Sequence, residues 1–216
     1  MIEIFVRPST ATQRATIMLE ETGLAYRTIH VPLGSTDAAF LATGSRGRTP
    51  ALIDHGAASG EPLALTQSNA ILLYLAEKSG EFVPVEPRAR ARCYEWMMML
   101  ATDIYPPYAA VYWMSWKKPE PYMEAAAWFE DRTIAEYETF DRHLADFDFV
   151  AGEEFSIADI AGYPPAVLGL QDIPALRRFS NLRRWMDHIG ERPAVQAGMA
   201  ATGSGRPPML VASRRA

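Results

Sequence analysis

The sequence predicts two domains of different class, a mixed α/β domain over residues 1–80 and an all-helical domain over residues 88–203. Three observations carry this. Short β-rich runs alternate with helical patterns as far as Gly80. Residues 81–87 hold Pro84 and Pro87 and read as a linker. From Arg88 onward the apolar residues recur only at helical spacing.

In the first region Ile2–Val6 alternates and is β-rich, so it reads as a strand that Pro8 ends. Ser9-Thr10-Ala11-Thr12 is a hydroxyl-rich turn, and Thr12 or a neighbour is placed to cap the next helix. That helix covers residues 13–22, with Ala15, Met18 and Leu19 inward and Gly23 closing it. Residues 26–31 form a second strand. Residues 34–48 are polar and hold three glycines, so they read as a loop, mobile over a site or plain, with one helical turn at Ala38–Ala42. Thr49-Pro50 precedes a short strand at Ala51–Asp54, because proline cannot donate within a sheet and belongs at a strand's start. Gly56 and Gly60 mark a hairpin turn, and residues 63–65 return.

The helix that follows has both ends written in the sequence. Ser68 is a plausible N-cap and Gly80 a left-handed stop. Ala70, Leu73, Tyr74 and Glu77 share one face, and Ile71, Leu72 and Leu75 widen the apolar arc. Its N-terminus gathers free N–H groups and suits a carboxylate. The order strand, helix, strand, loop, strand, strand, helix gives a parallel pair and then an antiparallel hairpin, which is a thioredoxin-like arrangement.

In the second region residues 88–104 place Ala91, Tyr94, Met98 and Ala101 on one stripe, and Pro106-Pro107 should break or bend that helix. An aromatic continuation follows over residues 108–116. Residues 122–144 keep Ala126, Phe129, Thr133, Tyr137, Phe140 and Leu144 in register. Ser156-Ile157-Ala158-Asp159 is a capping-box variant with aspartate at the third helical position, and Phe155 and Ile160 sit at staple positions. Pro164-Pro165 should kink that helix. Residues 181–189 form another, with Leu182, Trp185 and Ile189 on one face. Residues 204–216 read as a tail, fraying over Val211–Ala216.

Composition narrows the function. Hydrophobic residues are 49% and charged ones 22%, enough for an ordinary soluble core. Net charge is −5, with no clustered lysine and arginine, which argues against nucleic acid. Cys93 is the single cysteine, so no intramolecular disulfide and no zinc cluster is expected, and a cytoplasmic setting fits. No run is apolar enough to span a bilayer, and the N-terminus enters a strand without a leader pattern. His30, His55, His143 and His188 are scattered, with no His-x-x-x-His and no phosphate loop, so no metal is expected.

Four phrases, in order, carry a resemblance. They are the Ser9 turn, Thr49-Pro50, Gln67-Ser68-Asn69-Ala70-Ile71-Leu72, and Phe155-Ser156-Ile157-Ala158-Asp159-Ile160-Ala161 followed by Asn181-Leu182-Arg183-Arg184-Trp185 and Arg192-Pro193-Ala194-Val195. Together they resemble glutathione S-transferases of the bacterial cytosolic type, over roughly residues 1–200. The resemblance implies a thioredoxin-like glutathione site, an all-helical second domain, a homodimer and a role in detoxification. It implies that the Thr49-Pro50 bond is cis and that the Thr49 backbone pairs with the cysteinyl part of glutathione. It also implies that Gln67 and Ser68 grip the γ-glutamyl end. Arg48 is placed to attract the glycine carboxylate, with a solvated loop arginine as the alternative.

Glutathione transfer needs a thiolate, and a free thiol titrates near ~8.5. One hydroxyl hydrogen bond to the charged sulfur, about 1.5–3 kcal/mol, lowers that by about one to two units. Ser9 aligns with the hydroxyl that serine-type members use; the alternatives are that Ser9 only caps a helix, or that Thr10 or Thr12 substitutes. Related disulfide reductases carry Thr-Pro-Asn where this chain has Ser9-Thr10-Ala11, so disulfide chemistry is the less favoured activity. Tyr105, Tyr108, Tyr112, Trp113 and Trp116 are the candidates to line the pocket for a small apolar electrophile, with core or dimer packing as the alternative. A non-catalytic glutathione-fold binder is the competing class.

Overall fold

The structure, a computed structural model, describes residues 1–117 and 122–203. The chain divides into two compact units, one formed by Met1–Val83 with residues 190–203, the other by Pro84–Ile189.

The first unit runs β1 (Ile2–Val6), α1 (Thr10–Thr22), β2 (Tyr26–His30), α2 (Ala38–Ala42), β3 (Ala51–Asp54), β4 (Leu63–Thr66) and α3 (Ser68–Ser79). The sheet order is β2-β1-β3-β4. β1 pairs parallel with β2 and antiparallel with β3, and β3 pairs antiparallel with β4. This is the thioredoxin-like arrangement with the strand polarity read from the sequence. The α1 helix starts three residues before its predicted first residue, because the Ser9 hydroxyl caps it by accepting the Thr12 N–H at 3.2 Å. Gly23 ends it with a φ of 62°.

Residues 34–48 are mostly exposed and touch the core through Phe40, Thr43 and Ser45. Asp37 caps α2 by accepting the Phe40 N–H, and the fully buried Phe40 ring packs 5.3 Å from Phe5. The hydroxyls of Thr43 and Ser45 both donate to the Phe40 carbonyl.

Two predicted details of α3 are corrected. Ser68 is the first helical residue; Gln67 holds the cap position, with a φ of 71° and no side-chain cap bond. The seam of α3 is Ile71, Leu72, Leu75 and Ala76, while Ala70 and Glu77 face solvent. Asp54 at the end of β3 fixes this rotation: its carboxylate accepts from Tyr74 at 2.6 Å and pairs with Lys78 at 2.9 Å.

Residues 190–203 pack on the first unit, although the sequence places them with the helical domain. Here α9 (Pro193–Ala200) crosses α1 at Gly198, whose carbonyl accepts the Thr16 hydroxyl at 2.6 Å. Arg192 clamps Glu21 through two hydrogen bonds of 2.7 Å.

The second unit holds α4 (Pro87–Met99), α5 (Tyr105–Tyr112), α6 (Met123–His143), α7 (Ile157–Asp172) and α8 (Ser180–Gly190). The predicted stripe of α4, Ala91, Tyr94, Met98 and Ala101, is exposed. The core face is Cys93, Trp96 and Met97, continued by Leu100 and Ile104. Two helical stripes compete on this segment, and the bulkier one wins because Trp96 packs, tilted, against the rings of Phe140 and His143. A π-turn at Leu100–Ile104 leads into Pro106 and Pro107, which enter α5 in its first turn, where their missing N–H groups cost nothing. The α7 helix runs on through Pro164 and Pro165.

Ser156 and Asp159 form the capping box read from the sequence. Asp159 is fully buried, and its two oxygens accept from the Val150 and Ser156 N–H groups, the Ser156 hydroxyl and the Trp185 indole. No helix among the described residues is long and apolar enough to cross a membrane. The predicted tail, 204–216, and its fraying over Val211–Ala216 lie outside the described residues.

Candidate glutathione site

Three features of the first unit meet on α1. The first is the β1–α1 turn. Ser9 Oγ lies 2.8 Å from Thr12 Oγ1, and the Thr12 hydroxyl donates across to Thr49 Oγ1 at 3.1 Å. Thr12 is fully buried; Ser9 and Thr49 are half-buried. The second is the Thr49-Pro50 peptide, which is cis, with Pro50 buried beneath it. The third is the start of α3. Buried Arg14, also on α1, donates from Nη1 to the Ser68 hydroxyl at 3.3 Å. One helix therefore ties the hydroxyl turn to Thr49 through Thr12, and to Ser68 through Arg14.

The N-terminus of α3 carries the positive end of the helix dipole, an effect of about 0.3–2 kcal/mol for a carboxylate placed there. No acidic residue sits in that first turn. Gln67 is the one-residue hinge between Thr66, which pairs with Ala51, and the helix, whose first bond runs from the Ile71 N–H to the Gln67 carbonyl. A glutamine at positive φ costs about 1–3 kcal/mol, and such strain gathers at ligand clamps. Arg48 is exposed next to Thr49.

The sequence reading named Ser9, Thr49, Pro50, Gln67 and Ser68, and the fold brings all five to one unit. It missed Arg14. The signal was present: Arg14 lies four residues before Met18, on the inward stripe of α1, and an arginine on a buried stripe requires partners.

The aromatic candidates separate. Tyr108 is a core residue: it is fully buried and its hydroxyl donates to Asp172 at 2.8 Å. Burial, then the Asp172 charge, pushes its ionisation far up. This removes it from the predicted pocket. Tyr105 and Tyr112 are half-buried, Trp113 is 57% exposed, and the Trp116 side chain lies outside the described residues. Cys93 is buried against Ser156, and burial raises its thiol, so it is no nucleophile. A depression of about 610 Å³ lies at the start of α6, lined by Tyr122, Met123, Trp128 and Phe129 among others. Among the described residues no group of three or more His, Cys, Asp or Glu is gathered as a metal site would need.

Comparison with known proteins decides the family. Residues 5–83 match the glutathione S-transferase N-terminal domain and residues 104–193 the C-terminal domain. The chain belongs to the glutathione S-transferase family. This glutathione S-transferase family chain is 32% identical to the disulfide-bond oxidoreductase YfcG of Escherichia coli, over 90% of its own length and 93% of the relative's. Its fold superposes on a glutathione transferase from Pseudomonas putida, solved with one glutathione disulfide bound per subunit. That match has a TM-score of 0.85 at 30% identity, covering 94% of this chain and 92% of the other. A Burkholderia graminis glutathione transferase, solved with two glutathione molecules per subunit, matches with a TM-score of 0.86 at 26% identity, covering 94% and 89%.

Proposed function

We propose that this chain is a glutathione transferase that holds the tripeptide along its first unit and activates the thiol by hydroxyl hydrogen bonding. The observation that carries the reading is the link made by α1, from the hydroxyl cluster anchored on Ser9 to Ser68 at the start of α3. The γ-glutamyl carboxylate accepts from the first turn of α3 and the Ser68 hydroxyl, with the Arg14 charge behind it. The Thr49 backbone pairs with the cysteinyl unit in the manner of an added strand. Arg48 attracts the glycine carboxylate. The sulfur then lies beside the Ser9 turn. Its proton leaves to solvent, and the thiolate pair forms a bond to an electrophilic carbon while the leaving group departs with its own bonding pair. No general base is needed, because a donor to the charged sulfur lowers the thiol by about one to two units from ~8.5.

A second reading is glutathione-dependent disulfide reduction. It is favoured by the printed activity of YfcG and by the glutathione disulfide in the Pseudomonas putida structure. There the thiolate attacks a glutathione mixed disulfide, giving glutathione disulfide and a freed thiol. Ala11, in place of the asparagine of the related reductases, weighs against it.

Retention on immobilised glutathione, with turnover of chlorodinitrobenzene and of a mixed disulfide, separates the cases. Retention with aromatic substitution supports the transferase. Turnover of the disulfide alone moves the assignment to the reductase. Retention without turnover of any substrate makes the chain a binder and overturns both enzymatic readings. Replacing Ser68 by alanine removes a hydrogen bond to a charged group and should raise the glutathione Kd at least ~10-fold. Equal affinity in Ser68→Ala would contradict the placement of the acid end.

A further inference from the structure

We propose that the side chain of Thr49, and not that of Ser9, delivers the hydrogen bond to the glutathione sulfur, at the end of a one-way chain of hydroxyls from Ser9 through Thr12 to Thr49. This rests on the reading that glutathione lies along the first unit with its cysteinyl part on the Thr49 backbone.

The polarity of the chain follows from counting hydrogens. A serine or threonine hydroxyl has one hydrogen to give and two lone pairs. The Thr12 hydroxyl gives its hydrogen to Thr49 Oγ1 at 3.1 Å. The 2.8 Å contact between Ser9 and Thr12 must therefore run from Ser9 to Thr12. Ser9 Oγ also accepts the Thr12 N–H as the cap of α1. Its hydrogen and one lone pair are thus both in use within the turn. Thr49 is the member whose hydrogen is not committed inside the cluster.

The surroundings suit a donor to a thiolate. Thr12, the middle link, is fully buried, so the two hydroxyl bonds polarise one another in a medium of low dielectric. The chain starts at the N-terminus of α1, where the helix dipole favours negative charge, and no acidic residue stands in that first turn. The cations nearest along the chain are Arg7, two residues before Ser9, Arg14, two residues beyond Thr12, and Arg48, beside Thr49. Thr49 is β-branched, which restricts its χ1, and the cis Pro50 follows it directly. The thiol loses its proton to solvent, the sulfur keeps the pair, and Thr49 O–H donates to it; nothing is oxidised. Ser9 and Thr12 are positioning residues that orient the Thr49 hydrogen.

The test is the ionisation of enzyme-bound glutathione, followed by the ultraviolet absorbance of the thiolate against pH, with calorimetric Kd for each variant. Thr49→Val keeps the shape and removes the hydroxyl. It should shift the bound thiol upward by about one to two pH units, with Kd changed less than ~3-fold below the pH at which the bound thiol titrates and weakened about 10-fold or more above it, and Thr49→Ser should restore the wild-type titration. Ser9→Ala and Thr12→Val should shift it less, because they leave the donor in place. A Thr49→Val enzyme whose bound thiol titrates like wild type, or a larger shift in Ser9→Ala than in Thr49→Val, overturns the proposal while glutathione binding stands. A wild-type chain that binds no glutathione overturns the underlying reading, and this proposal with it.

Discussion

Replacing Asp159 by alanine should destabilise the second unit by about 3 kcal/mol or more. The substitution leaves the N–H groups of Val150 and Ser156, the Ser156 hydroxyl and the Trp185 indole facing a site without its acceptor, and each buried unsatisfied group costs about 1–3 kcal/mol. The capping box of α7 is lost in the same step. Urea unfolding monitored by tryptophan fluorescence measures the effect, since Trp185 is a direct partner. A midpoint within error of wild type would contradict the role given to this carboxylate.

The same residue sets a pH slope. Burial pushes the Asp159 pKa up to about 6, from an ordinary 3.8, against the opposing pull of its donors. Folding therefore takes up a proton between these values. The proton-linked part of the stability is fully present below about pH 4 and is lost as pH rises through about 6, an effect on the order of 3 kcal/mol. His143 works the other way. Burial lowers its pKa while its Nε2–H donates to the Val150 carbonyl, so its contribution is lost on acidification below its ordinary 6.5. Asp159→Ala should remove the first slope and leave the second.

Gly198→Ala should cost the first unit about 1–3 kcal/mol, with part of the loss appearing as weaker glutathione binding. A Cβ built on Gly198 would lie 2.4 Å from Ile17 Cα and 2.5 Å from Ile17 N. Both are backbone atoms, so no rotamer change relieves the overlap and α9 must move off α1. The Thr16 bond to the Gly198 carbonyl is then strained or lost. Because α1 carries Ser9, Thr12 and Arg14, its displacement reaches the site without touching a site residue. A fall in thermal midpoint together with a raised glutathione Kd is the expected pair of results. Unchanged values of both would show that α9 does not brace α1.

Much of this was legible in the sequence because it is written locally. Gly23 and Gly80 end their helices where the residue type predicts, and Ser156 with Asp159 announces the start of α7. The parallel β1–β2 pair and the antiparallel β3–β4 hairpin followed from element order, while the pairing of β1 with β3 did not. What failed to show was long-range. On α4 two apolar stripes are present, and only the distant Phe140 and His143 decide that Trp96 turns inward. Tyr108 reads as a pocket residue until Asp172, on another helix, accepts its hydroxyl. Arg14 meets Ser68, and Thr12 meets Thr49, across separations that no periodicity encodes. The return of residues 190–203 to α1 is of the same kind. Gln67 displaced the predicted cap by one residue because a positive φ at a glutamine has no local sequence cue.

Calorimetric titration of the intact chain, comparing glutathione with cysteinylglycine at millimolar concentration, tests the central claim most directly. The two peptides share the thiol and the glycine carboxylate and differ only in the γ-glutamyl group assigned to the start of α3. The account predicts saturable heat for glutathione and at least ~10-fold weaker association for cysteinylglycine. Equal affinity for the two, or no heat with either, would contradict it.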